Sequence, residues 1–136
     1  DALAVENEEM LLERINSYIE VGADMIFPEA LVSLDGYKKI AQESSVPILA
    51  NITEFGKTPL FSKKELYDVG VSMILYPLTA FRAMSKAAEK VYKELSRNES
   101  QEHMLGEMQT RDELYDYLSY HKYEKEMDEI LNKKDE

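Results

Sequence analysis

Glu29, Asn51, Thr53, Glu54, Arg82 and Arg111 are the residues of this 136-residue chain whose types and surroundings suit recognition of a small polyanion. Asn51, Thr53 and Glu54 follow directly on the apolar run Val46-Pro-Ile-Leu-Ala, and Glu29 follows Phe27-Pro28 in the same way. A buried parallel strand reads as a short continuous apolar run. Barrels and doubly wound sheets keep their chemistry at the carboxyl ends of such strands. Asn51 and Thr53 stand at period 2, so both point to one mouth and can donate hydrogen bonds to a carboxylate. Local turn capping is their plainer use. Glu29 can accept a hydrogen bond from a substrate hydroxyl or orient a metal-bound water, although an ordinary loop glutamate reads identically.

Arg82 lies three residues beyond Thr79, in the first turn of an expected helix, where the dipole disfavours a cation. A shared anion such as a carboxylate or phosphate removes that conflict, and an exposed Arg–Glu pair is the bland alternative. Arg111 repeats the arrangement just after Thr110. Two arginines at two helix starts suit a ligand with two or three negative charges.

Other chemistries find no support. The chain has no Cys, which excludes disulfides, thiolate metal sites and a cysteine nucleophile within it. His103 and His121 lie in the terminal helical region, read as surface or packing residues, and have no partner at metal-ligand spacing. No phosphate-binding glycine motif or nucleophile elbow is present. The formal net charge of -11 opposes binding to nucleic acid or anionic lipid. No apolar run approaches the ~18 residues of a membrane span, so a soluble protein is expected. The hydrophobic content of 44% suffices for a core. Beginning at Asp1-Ala-Leu-Ala without Met or cap, the chain is expected to be a piece of something longer.

The positioning elements follow from periodicity. Leu11, Leu12, Ile15, Tyr18 and Ile19 predict a helix over 7–21, capped by Asn7 and ended by Gly22, and Ala23–Phe27 reads as a strand. Tyr37, Ile40 and Ala41 mark a helix over about 34–44, with Val46–Asn51 as the next strand. Ser62 and Glu65 form a capping box for a short helix. Val21-Gly22-Ala-Asp-Met-Ile returns 48 positions later as Val69-Gly70-Val-Ser-Met-Ile, which places a third strand near Leu75. Three helix-to-strand units in parallel order fit a barrel, and an open sheet almost equally.

Thr79 is expected to cap a helix over about 80–95 with Phe81, Met84, Ala88, Val91 and Leu95 on one face. A polar joint after Ser96 divides the chain into residues 1–96 and 97–136. In the second part Thr110 and Glu113 form another capping box. Leu114, Tyr117 and Leu118, then Tyr120, Tyr123, Met127, Ile130 and Leu131, form apolar stripes before the charged end Lys133–Glu136. Such stripes should dock on another subunit or back on the sheet domain.

The runs Gly22-Ala-Asp-Met-Ile-Phe-Pro-Glu-Ala, Pro47-Ile-Leu-Ala-Asn-Ile-Thr-Glu-Phe-Gly-Lys-Thr-Pro-Leu-Phe, Leu75-Tyr-Pro-Leu-Thr-Ala-Phe-Arg-Ala-Met and Met108-Gln-Thr-Arg-Asp-Glu-Leu-Tyr resemble the 2-methylisocitrate lyases, a branch of the isocitrate lyase and phosphoenolpyruvate mutase superfamily. The resemblance implies an α/β fold. The chain would be the C-terminal part of a (β/α)8 TIM barrel, holding its last three strands, followed by extra helices exchanged between neighbouring subunits. It implies a cytoplasmic homo-oligomer, dimer or tetramer, that cleaves the small polycarboxylate 2-methylisocitrate to pyruvate and succinate in propionate breakdown. By matching motif positions, Glu29, Asn51, Ile52, Thr53, Arg82 and Arg111 would bind the substrate. A further family arginine would fall just before Asp1. The family's catalytic cysteine, in a Cys-Gly-His loop that protonates the succinate carbanion, and the aspartates holding Mg²⁺, which stabilises the enolate, belong to the first half of the barrel. This chain alone would therefore be an inactive clamp. A phosphonopyruvate or carboxyphosphonoenolpyruvate mutase of the same superfamily, or a non-catalytic oligomerisation half, are the rival readings.

Overall fold

A computed structural model describes residues 2–132, so the charged end Lys133–Glu136 lies outside the described residues. The chain divides into two compact units, Asp1–Ser85 and Lys86–Glu136.

In the first unit a short helix α1 (Ala2–Val5) precedes α2 (Glu8–Glu20). Asn7 Oδ1 accepts from the Met10 amide at 2.9 Å, and Glu8 and Glu9 complement the positive first turn. Leu11 and Ile15 are buried, as the periodicity predicts, whereas Tyr18 is half exposed. It lies instead along an apolar groove with Met25 and Phe27.

Helix α3 (Leu34–Glu43) is capped by Ser33, whose Oγ accepts from the Gly36 amide at 3.1 Å, and buries Tyr37 and Ile40. Gly36, a poor helix former, thus sits where a capped amide is needed. Strand β1 (Leu49–Asn51) and strand β2 (Met73–Leu75) pair in parallel, with Ala50 opposite Ile74 and Asn51 opposite Leu75. Between them, α4 (Lys63–Asp68) starts on the expected capping box of Ser62 and Glu65.

The strand expected at Ala23–Phe27 reduces to a single parallel bridge from Ile26 to Ile48. The Ile26 amide donates to Pro47 O at 3.0 Å and the Leu49 amide donates to Ile26 O at 2.9 Å. Order across these pairings follows chain order, each strand lying beside the next. One hydrophobic cluster beneath them joins Leu11, Ile15, Ile26, Tyr37, Ile40, Ile48, Ala50, Ile52 and Leu66.

The sequence repeat has a structural cause. Gly22 and Gly70 both adopt positive φ, 103° and 91°, in the turn that ends a helix and enters a strand. At Gly70 the space is also filled, since an added Cβ would lie 2.9 Å from Ala41 Cβ. Gly70→Ala is expected to destabilise the full-length protein by about 2 kcal/mol, combining left-handed strain with overpacking. A denaturant midpoint equal to wild type counts against this account.

Helix α5 (Thr79–Asn98) carries the boundary between the units. It begins one residue earlier than expected. The Arg82 amide donates to Leu78 O at 2.8 Å, so Thr79 is already the first helical residue and its hydroxyl turns elsewhere. None of the α5 side chains is buried among the described residues, including the predicted stripe from Phe81 to Leu95.

In the second unit a 3₁₀ turn, Glu102–Glu107, is tied by Lys90 Nζ donating to Glu107 Oε2 at 2.6 Å. His103 Nε2 lies 3.1 Å from Glu94 Oε2, and His121 Nδ1 lies 2.9 Å from Glu124 Oε2. Helix α6 (Arg111–Leu118) has the predicted Thr110–Glu113 capping box. Left-handed Ser119 then separates it from α7 (Tyr120–Asn132), and Tyr115 stacks on Tyr120 with centroids 4.2 Å apart. The stripes at Tyr117, Leu118, Tyr123, Met127, Ile130 and Leu131 are exposed. No described helix is long and apolar enough to cross a membrane.

Candidate functional site

Alternation along β1 and its extension sorts the residues to two sides. Ile48, Ala50 and Ile52 are buried, whereas Asn51 and Thr53 keep partial exposure. The Ile52 amide donates to Leu75 O at 2.9 Å, so this residue is packed and laddered. It does not line the cleft described below.

Glu29 leaves the neighbouring Ile26 segment and reaches the same mouth. Thr53 Oγ1 donates to Asn51 Oδ1 at 3.0 Å, and Asn51 Nδ2 donates to Glu29 Oε2 over a long 3.4 Å. The bond between Thr53 and Asn51 fixes the amide, turning its NH₂ toward the carboxylate. All three line one open cleft of about 410 Å³, which Gly56, Lys57 and Thr58 also line. That size suits a small ligand. In the core cluster, burial pushes the Tyr37 phenol up to about 12, and the negative charge of Glu29 adds to the effect. Tyr37 is therefore neutral at physiological pH.

Arg82 takes a different position. Its Nη1 donates to the Glu54 carbonyl at 2.6 Å and to Glu54 Oε2 at 3.2 Å, while the Thr79 hydroxyl donates to Glu54 Oε1. The anion that the helix dipole calls for near Arg82 is thus supplied by Glu54. These contacts use one nitrogen of a group with five N–H donors. Phe55 lies 5.2 Å from the guanidinium and is almost wholly exposed at φ 63°, a costly conformation for a bulky residue. Arg82 does not line the cleft of Glu29, Asn51 and Thr53, but it anchors the residue next to Thr53. Arg111 is the first residue of α6 and exposed in the second unit.

The Thr79 hydroxyl, then a backbone amide and Arg82, hold the Glu54 carboxyl below its ordinary 4.5. A depressed carboxylate stabilises the fold above its unfolded pKa, and the contribution is lost as pH falls through the folded value. The Glu54–Thr79–Arg82 contact should therefore persist at neutral pH and open only as pH falls through the depressed folded value. The Glu54 carboxyl carbon, followed by NMR, should titrate below 4.5; a midpoint at or above that value rejects the contact.

Lys57 and Thr58 were not singled out from the sequence, although a cation directly after Gly56 in a strand-end loop was the available signal. Among the described residues no three His, Asp or Glu converge as a metal site would require.

The chain matches the phosphoenolpyruvate phosphomutase family over residues 2–96. It is 53% identical to the 2-methylisocitrate lyase of Vibrio cholerae serotype O1, an alignment covering 97% of this chain and 45% of that protein. With the 2-methylisocitrate lyase of Salmonella typhimurium identity is 51%, covering 98% and 45%, and with that of Aeropyrum pernix it is 43%, covering 100% and 44%. The chain therefore spans less than half the length of these curated relatives. A solved 2,3-dimethylmalate lyase, described as a PEP mutase/isocitrate lyase superfamily member, superposes with a TM-score of 0.84 at 24% identity, over 96% of this chain and 45% of that one. The shared feature is the α/β fold.

Proposed function

The chain belongs to the phosphoenolpyruvate phosphomutase family, and from that membership we propose that it forms part of a cytoplasmic carbon–carbon lyase acting on 2-methylisocitrate. The observation that carries this reading is identity of about one half to proteins named 2-methylisocitrate lyase, over nearly all of this chain. Residues 1–96 would supply the last three βα units of a (β/α)8 barrel and residues 97–136 a helical extension.

The cleft's chemistry agrees. Glu29 accepts a hydrogen bond from the substrate hydroxyl whose proton departs as the C–C bond breaks to give pyruvate. Asn51 would donate to a ligand carboxylate while the Thr53 hydroxyl holds its amide in place. Ile52, Arg82 and Arg111 are proposed as further substrate-binding residues on their positions in the family's motifs alone. Mg²⁺, which the family reading implies, finds no convergent ligand set among the described residues, so its ligands would lie outside this chain. No acid equivalent to a cysteine exists here either, and the isolated chain should be inactive.

The test is pyruvate release from 2-methylisocitrate by the full-length protein; no release rejects the reading. The family match alone also suits a phosphonomutase, which would instead form a carbon–phosphorus bond from phosphoenolpyruvate, visible by phosphorus NMR. The exposed stripes of α6 and α7 would dock on a neighbouring copy in a homo-oligomer. Deleting residues 120–136 should lower the mass in solution, and an unchanged oligomer counts against such docking.

A further inference from the structure

The cleft sets an electrostatic problem for the proposed ligand. Glu29 brings a carboxylate to its wall and the chain carries a net charge of -11, yet the ligand is a polycarboxylate. Asn51 and Thr53 offer dipoles but no charge. Arg82 is engaged with Glu54 and does not line the cleft. Of the residues that do, Lys57 is the sole cation. Among the described residues its ammonium makes no ion pair, unlike Lys39, Lys64, Lys86, Lys90, Lys93 and Lys122.

The backbone explains how it arrives there. The Gly56 amide donates to Thr53 O at 3.3 Å, and a Cβ at Gly56 would come within 3.2 Å of that oxygen. This tight turn brings Lys57 to the same hollow that Glu29, Asn51 and Thr53 line. An ammonium on a flexible four-carbon stem acts there as a mobile point charge rather than a rigid fork.

We infer that Lys57 is a substrate-binding residue of this cleft, its ammonium pairing with a carboxylate of the ligand and offsetting the charge of Glu29. The inference rests on the lyase reading for its substrate and on the cleft for its geometry. Losing one charge-assisted contact in a partly enclosed site weakens binding about tenfold.

In the full-length protein, Lys57→Gln should raise KM for 2-methylisocitrate about tenfold and leave kcat within about twofold, while Lys57→Arg restores KM. Added salt should raise KM in wild type more than in Lys57→Gln. A lysine that only supports the loop would lower the melting temperature and would not give the split between KM and kcat. Equal KM in wild type and Lys57→Gln at both low and physiological ionic strength overturns the inference. If wild type releases no pyruvate, the lyase reading itself fails, and succinate binding by calorimetry then decides on Lys57. Weaker succinate binding by Lys57→Gln supports its role; equal binding, or no binding by wild type, overturns it.

Discussion

Arg82→Ala is expected to raise KM for 2-methylisocitrate about a hundredfold in the full-length protein while leaving the melting temperature nearly unchanged. The magnitude corresponds to about 2.7 kcal/mol, the upper range for a charge-assisted pair of hydrogen bonds. Arg82 acts in two ways that the substitution removes together. On the proposed reading its guanidinium reaches a ligand carboxylate with the donors that Glu54 leaves free, and in the structure its Nη1 holds the Glu54 carbonyl and carboxylate beside the end of β1. Glu54→Gln separates them. If Arg82 only steadied Glu54, the two variants would behave alike; direct ligand contact makes Arg82→Ala worse by about tenfold. Lysine should not rescue, because it lacks the planar fork that serves two acceptors. KM and kcat both at wild-type values would remove Arg82 from the clamp.

Asn51→Leu should be more damaging, lowering kcat/KM by two to three orders of magnitude. Leucine keeps the shape of the strand end, so β1 should still pair with β2. What disappears is the central link of the chain from Thr53 through Asn51 to Glu29. Thr53 loses its acceptor, the Glu29 carboxylate loses its donor, and the ligand loses a hydrogen bond. At about 1 to 1.5 kcal/mol each, these add to roughly 3 to 4.5 kcal/mol, about two to three decades. Thr53→Val removes one contact and should cost only about tenfold. A loss below tenfold for Asn51→Leu would show that this network does not organise the site.

Much of this arrangement was legible from residue types. Period-2 alternation put Asn51 and Thr53 on one side, and the structure joins them by a hydrogen bond. Both capping boxes, the Asn7 cap and the two glycine turns were readable because each depends on local backbone chemistry. Thr79 shows where that reading fails. Its identity suits a cap, but Glu54, 25 positions earlier, competes for its hydroxyl, and periodicity carries no information about such a distant partner. Lys57 escaped for a related reason, since a lysine in a loop looks like solvated surface until the turn at Gly56 fixes its direction.

The parity of the segment from Asn51 to Glu54 limits how this protein can diverge. Thr53 serves the cleft while the next residue, Glu54, serves α5, so inserting or deleting one residue between Ile52 and Glu54 would exchange these two assignments in a single event. Length changes should be purged there and tolerated farther along, between Thr58 and Ser62. Among distant kin, gaps should cluster on the far side of the loop.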